Sequence, residues 1–169
     1  MAAANLTPNR LRELVQYNPD TGKLIWLINA GRWGRIKAGS ETGSPDLTGH
    51  LRTQIDGVLY YCHRLAFFFM MDKWPDGDID HIDGDPSNNA WSNLRDVPHK
   101  VNTQNRRKPT RNKKTGLPIG VSFDARDGGI RSDITIDGKT RSLGRFATPE
   151  LAHEAYKAAK RKLHPGCTL

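Results

Sequence analysis

The chain has 169 residues, 36% of them hydrophobic and 26% charged, with a net charge of +8 and a pI near 9.7. No apolar run approaches the roughly 18 residues a membrane span needs, and the N-terminal Met-Ala-Ala-Ala-Asn lacks the layout of a signal peptide. Its two cysteines, Cys62 and Cys167, lie far apart, which argues against a disulfide framework and a thiolate zinc site, so a cytoplasmic protein without a membrane partner is expected.

Residues 7–16 read as a short helix, with Thr7 as N-cap, Pro8 at the first helical position, and Leu11, Leu14 and Val15 on one face. Tyr17-Asn18-Pro19-Asp20-Thr21-Gly22 is turn chemistry, and Lys23 to Trp26 reads as a strand. Residues 29–50, rich in Gly, Ser and Asp, show no clean periodicity. Leu51–Ile55 and Val58–Tyr61 flank Asp56-Gly57, a hairpin signal, and a helix follows from Cys62 to Met71. Ile79 to Asp85 reads as a strand running into a loop, Asn93 to Val97 as its partner strand, and His99 to Arg106 as a polar helix opened by Pro98. Ile119–Phe123, Ile130–Ile136 and Thr140–Leu143 read as three strands, with Asp137-Gly138 turning between the last two. A final helix starts at Thr148-Pro149 and places Leu151, Ala152, Ala155, Ala158 and Ala159 on one side, against a small sheet.

Charge is distributed unevenly along these elements. Residues 1–99 hold ten Lys/Arg and twelve Asp/Glu, whereas residues 100–145 hold twelve Lys/Arg and four Asp/Glu. An excess confined to one half is the footprint of a polyanion binder, the alternative being a solvated basic face. Arg106, Arg107, Lys108, Arg111, Lys113 and Lys114 form a run with no apolar residue, suited to following a phosphate backbone. In the strands beyond it, Arg126, Arg131, Lys139, Arg141 and Arg145 can gather on an exposed face, where arginines bond guanine edges or phosphates.

The most informative constellation is Asp80-His81, then Asn93, then Asn102. Adjacent residues of a strand point to opposite faces, so the carboxylate and the imidazole serve different partners. Asn102, on the following helix, offers an amide oxygen to a hard divalent cation beside Asp80, an oxygen donor set that suits Mg²⁺. His81 carries an imidazole, the side chain most often used as a general base, and is placed to act on the water that attacks a phosphodiester. The alternative is a turn-rich loop around Asp83-Gly84-Asp85 with Asn93 as a cap. His63, on the apolar helix, reads as structural, and His99 as a polar residue at a helix start.

His63-Arg64-Leu65-Ala66, Trp74-Pro75, Ile79-Asp80-His81-Ile82-Asp83-Gly84-Asp85, Asn88-Asn89, Trp91-Ser92-Asn93-Leu94-Arg95 and Asn102-Thr103-Gln104-Asn105 resemble, in order and spacing, the phage-type HNH endonucleases, a family that includes homing nucleases. The segment Tyr17 to Trp26 also resembles the N-terminal part of such proteins. The resemblance implies a ββα-metal site in which His81 is the base. Asp80 and Asn102 would ligate one divalent metal, Mg²⁺ or Mn²⁺, and Asn93 would fix the loop and orient His81. Asn102 stands where other HNH enzymes carry histidine, as in the intron-encoded subgroup, and Ala90 stands where relatives often carry arginine or another polar residue.

Ile119-Gly120-Val121-Ser122-Phe123, Ile134-Thr135-Ile136, Ser142 to Phe146 and Thr148 to Tyr156 resemble the APETALA/ethylene-response-factor DNA-binding domain, with Ile130 where that family usually has tryptophan. This resemblance implies three antiparallel strands on one helix, with the sheet in the major groove. The expectation is an α+β chain: a β-rich segment at 1–60, an HNH nuclease core at 61–107, a basic linker at 108–117 and a DNA-binding module at 118–165. It would be a metal-dependent DNA endonuclease acting on double-stranded DNA, with no small-molecule cofactor besides the metal. The rival reading is a non-catalytic, sequence-specific DNA-binding regulator.

Overall fold

The computed structural model describes residues 6–105, 116–164 and 166–168, and the chain divides after Pro98 into two compact units. No described helix is long and apolar enough to cross a membrane.

In the first unit, α1 (Pro8–Leu14) begins as its sequence predicts, with the Thr7 hydroxyl accepting the Arg10 N–H at 3.2 Å. The chain passes straight into β1 (Val15–Tyr17), which pairs antiparallel with β2 (Leu24–Trp26), and β2 pairs with β3 (Glu41–Thr42). Within residues 29–50 the order is made of turns and two-residue strands too short to leave a periodic signal. One of these, β4 (Ser44–Pro45), edges the hairpin β5 (Leu51–Ile55) and β6 (Val58–Tyr61). Asp56 and Gly57 both take positive φ, the primed turn that Asp-Gly encodes.

α2 (Cys62–Met71) is the spine of this unit. Cys62, Leu65, Ala66, Phe67 and Phe68 are buried against Leu11, Leu14, Tyr17, Leu24, Trp26 and Ile55. Buried apolar residues on nearly all sides explain why its sequence looks continuously hydrophobic rather than amphipathic. β7 (Asp78–His81) and β8 (Leu94–Val97) form an antiparallel pair whose register sets Asp80 opposite Arg95 and His81 opposite Leu94.

The second unit begins with α3 (His99–Gln104) and continues, after the basic run, with β9 (Val121–Phe123), β10 (Ile130–Ile136) and β11 (Lys139–Phe146). These strands form one antiparallel sheet with β10 in the centre, and α4 (Pro149–Leu163) packs across it. The division at Pro98 places α3 with this unit rather than with the strands that precede it.

The buried face of α4 differs from the expectation. Ala152, Tyr156 and Lys160, four residues apart, lie against the sheet, while Leu151 is 55% exposed and Ala158 is exposed. One residue is about 100° of helix rotation, so a stripe set by Ala152 and Tyr156 turns Leu151 outward. Lys160 is buried with its Nζ 5.8 Å from the Tyr156 ring centroid, so its aliphatic stem fills the position at which the alanine pattern ends.

Candidate active site

Asp80 and His81 are consecutive on β7, and both are buried, at 4% and 6% exposure. Strand alternation sends them to opposite faces. On one face the Asp80 carboxylate meets its cross-strand partner. Arg95 Nε donates to Asp80 Oδ2 at 2.8 Å, and a second guanidinium nitrogen lies 2.7 Å from the same oxygen. A buried carboxylate without such a partner would carry a large desolvation cost.

On the other face, His81 Nε2 lies 3.0 Å from Asn89 Oδ1. An amide oxygen only accepts, so Nε2–H is the donor and the ring lone pair sits on Nδ1. Asn89 is 2% exposed, and its backbone is fixed from the N-terminal turn. Tyr17 Oη donates to the Asn89 carbonyl at 2.7 Å, Trp91 N–H donates to the Pro19 carbonyl at 2.8 Å, and Gly22 passes against Asn89 and Ala90. Burial pushes the Tyr17 phenol up to about 12, so it remains a donor throughout the neutral range.

Asn93 closes the loop between β7 and β8. Its side-chain oxygen accepts the Asp83 N–H at 2.9 Å, and its Nδ2 donates to Asp83 Oδ1 at 3.0 Å and to the Asn88 carbonyl at 2.8 Å. Its own carbonyl accepts the Ile82 N–H at 2.9 Å. Four bonds from one residue pin both ends of the turn that carries Asn89. Asn102 lies on α3, half-buried, in the second unit.

Sequence reasoning missed two neighbours of His81. The His63 ring, on α2, meets the His81 ring edge-on at 5.2 Å between centroids, and His50 lies 5.7 Å from His81 and 5.4 Å from His63. Burial, reinforced by charge on His81 and His50, pushes the His63 imidazole down to about 3, and burial lowers His50 as well. No local motif announces this cluster, because it is assembled from three separate elements.

Of the expected DNA-contacting residues, Arg106, Arg107, Lys108, Arg111, Lys113 and Lys114 lie outside the described residues. Arg131 and Arg145 are cross-strand partners in β10 and β11, while Lys139 and Arg141 stand opposite Ile136 and buried Ile134, on the other side of the sheet by register. Three of the arginines carry acidic partners within the unit. Arg131 Nε bonds Asp133 at 2.8 Å, Arg145 bonds Asp127 at 2.6 Å, and Arg126 bonds Asp124 at 3.2 Å.

Residues 60–104 match the family model described as HNH endonuclease, a span that holds Asp80, His81, Asn93 and Asn102. A solved structure, described as "DNA binding and cleavage by the HNH homing endonuclease I-HmuI", matches at 26% identity and a TM-score of 0.41, over 54% of this chain and 51% of that one. The chain thus spans about half the length of that protein. No curated protein matches the chain.

Proposed function

We propose that the chain is a metal-dependent DNA endonuclease of the HNH type. The observation that carries this reading is a buried histidine bonded to a buried asparagine beside a buried carboxylate, inside the segment that matches the HNH endonuclease family. His81, with Nε2–H committed to Asn89, accepts a proton from water through Nδ1 and thereby directs hydroxide at a phosphodiester phosphorus. Asn93 keeps the loop closed, so that Asn89, and through it the imidazole, holds its orientation. Asp80, kept in place by Arg95, and Asn102 are the oxygen donors that would hold Mg²⁺ or Mn²⁺. When bound, the ion supplies charge stabilisation to the phosphate and the leaving 3′ oxygen.

The second unit, with its three strands on α4, is the DNA-positioning module in this reading, in the manner of an APETALA/ethylene-response-factor domain. The basic run from Arg106 to Lys114 adds sequence-independent attraction to double-stranded DNA.

The test is plasmid nicking by the full-length protein in Mg²⁺ and in EDTA, with His81→Ala alongside. Mg²⁺-dependent cleavage that vanishes in His81→Ala, with DNA binding retained, is expected. Binding without cleavage in the wild type under every divalent metal would make the chain a DNA-binding regulator instead.

A further inference from the structure

One ring nitrogen each of His50, His63 and His81 lies within 4.8 Å of the other two. Hydrogen bonding commits two of the rings. The Thr48 hydroxyl donates to Asp46 Oδ1 at 2.6 Å, and its oxygen lies 2.7 Å from His50 Nδ1. A hydroxyl has one proton and a carboxylate only accepts, so His50 Nδ1–H donates to Thr48 and the His50 lone pair sits on Nε2. The chain Asp46–Thr48–His50 is thus a carboxylate-anchored relay of the kind that orients metal-ligating histidines. His81 is tied in the same way through Nε2–H to Asn89, which leaves its lone pair on Nδ1.

The third ring gives the independent sign of a ligand. His63 is 8% exposed, and its Nδ1 is buried with no hydrogen-bond partner among the described residues. Tyr61 stacks on its face at 5.2 Å between centroids, which fixes the ring plane without satisfying the nitrogen. A buried polar nitrogen left unbonded is costly, and such groups in folded proteins mark an ion, a water or a functional contact.

We propose that His50, His63 and His81 form a site for one borderline-soft transition-metal ion, with Zn²⁺ as its natural occupant. Imidazole nitrogen is a donor such ions prefer, whereas Mg²⁺ prefers oxygen. Tetrahedral ligands with Zn–N near 2.0–2.1 Å stand about 3.4 Å apart, so side-chain rotations that move each nitrogen by roughly an ångström close the site. A fourth position remains for water. The consequence rests on the reading of His81 as base: its lone pair, once given to the ion, accepts no proton from water, so the site inhibits cleavage.

The experiment has two arms on the full-length chain. In the first, the protein is titrated with Co²⁺ in excess Mg²⁺, so that oxygen sites are already filled, and the visible absorption of tetrahedral Co²⁺ is followed. A band that saturates at one ion per chain, collapses on adding one equivalent of Zn²⁺, and needs at least about tenfold more Co²⁺ in His50→Gln and His63→Gln is expected. No tetrahedral band, or an unchanged titration in His50→Gln, overturns the site. Should His63→Gln fail to fold, His50→Gln decides alone, since His50 is only half-buried and lies in the turn just before β5.

In the second arm, nicking in Mg²⁺ is measured with stoichiometric Zn²⁺, each protein normalised to its own rate without it. Loss of cleavage in the wild type that is relieved in His50→Gln supports the inhibitory site. A saturating Co²⁺ band with cleavage untouched by Zn²⁺ supports the metal site and overturns instead the assignment of His81 as the base.

Discussion

Tyr17 Oη donates a 2.7 Å hydrogen bond to the carbonyl of Asn89, a residue 72 positions further along the chain, and the side chain of Asn89 in turn receives His81 Nε2–H. The N-terminal turn is therefore part of the support of the candidate base. The turn closes on Gly22, at φ +72°, where a Cβ would sit 2.2 Å from the Asn89 carbonyl carbon. Only a residue without a side chain allows the two backbones to approach this closely.

Removing the phenol should loosen the base without touching it. Tyr17→Phe should cost about 1 kcal/mol of stability, since the Asn89 carbonyl loses a buried donor. Its cleavage rate should fall by part of the roughly 10²–10⁴-fold that a positioned base contributes. Gly22→Ala, which forces Asn89 to move, should cost more of both. Thermal unfolding and single-turnover nicking read the two effects. A variant with lowered stability but wild-type cleavage would show that the turn supports the fold alone.

Arg95 and Asp80 give a prediction about metal. Arg95→Met leaves a nearly buried carboxylate without its cation, which should destabilise the protein by up to about 3 kcal/mol in EDTA. If Asp80 ligates Mg²⁺, the ion restores a positive partner, and binding to the folded state alone raises stability. Saturating Mg²⁺ should therefore recover more melting temperature in Arg95→Met than in the wild type. Equal recovery in both proteins would remove Asp80 from the ligands.

How much of this was legible depends on how local each signal is. The Asp56-Gly57 turn, the Thr7 and Thr148 caps and the apolar run of α2 are short-range patterns, and each forms where its residues direct. Asp80 and His81 stand out for the same reason. Arg131 and Asp133 were readable as a pair, because residues two apart on a strand share a face, yet in the sequence they counted only as one charge of each sign. Asn89 as the partner of His81 was not readable, since it depends on Tyr17 and Gly22 packing on a loop far away in sequence. The three-histidine cluster draws on a turn, a helix and a strand, and only tertiary structure brings them together. Leu151 is apolar yet exposed, because the buried stripe of α4 is set by Ala152 and Tyr156 and apolar character alone does not fix which side of a helix packs.

Arg131 and Arg145 stand side by side on β10 and β11, and both are engaged by carboxylates that a DNA phosphate would have to displace. Surface pairs of this kind are worth little to stability, about 0–1 kcal/mol. Arg145→Ala should therefore leave unfolding nearly unchanged, while weakening DNA binding and reducing the salt-dependence slope by about one. Asp127→Asn should strengthen binding by freeing the guanidinium. Binding isotherms at several salt concentrations measure both, and an unchanged slope in Arg145→Ala would exclude this residue from the DNA contact.

The short helix α3 carries Asn102. Within the second unit, Gly166 N–H donates to Gln104 Oε1 at 3.1 Å, and the Thr168 hydroxyl bonds the Asn105 side chain. A Cβ on Gly166 would lie 2.2 Å from the Val101 carbonyl oxygen, so the C-terminal segment is fitted against the backbone one residue before Asn102. A helix of six residues is not stable by itself and takes its position from such contacts. Gly166→Ala should therefore shift α3 at a cost of about 1–3 kcal/mol. If Asn102 ligates the metal, half-saturating Mg²⁺ for cleavage should rise several-fold, with DNA binding in EDTA retained. Truncation before Gly166 should act in the same direction and more strongly, since it removes both tail contacts. It follows that deleting residues 118–169 would impair cleavage as well as site choice, although every charged catalytic candidate precedes the cut. Metal titrations of cleavage in Gly166→Ala decide the point: half-saturation equal to the wild type would take Asn102 out of the metal site.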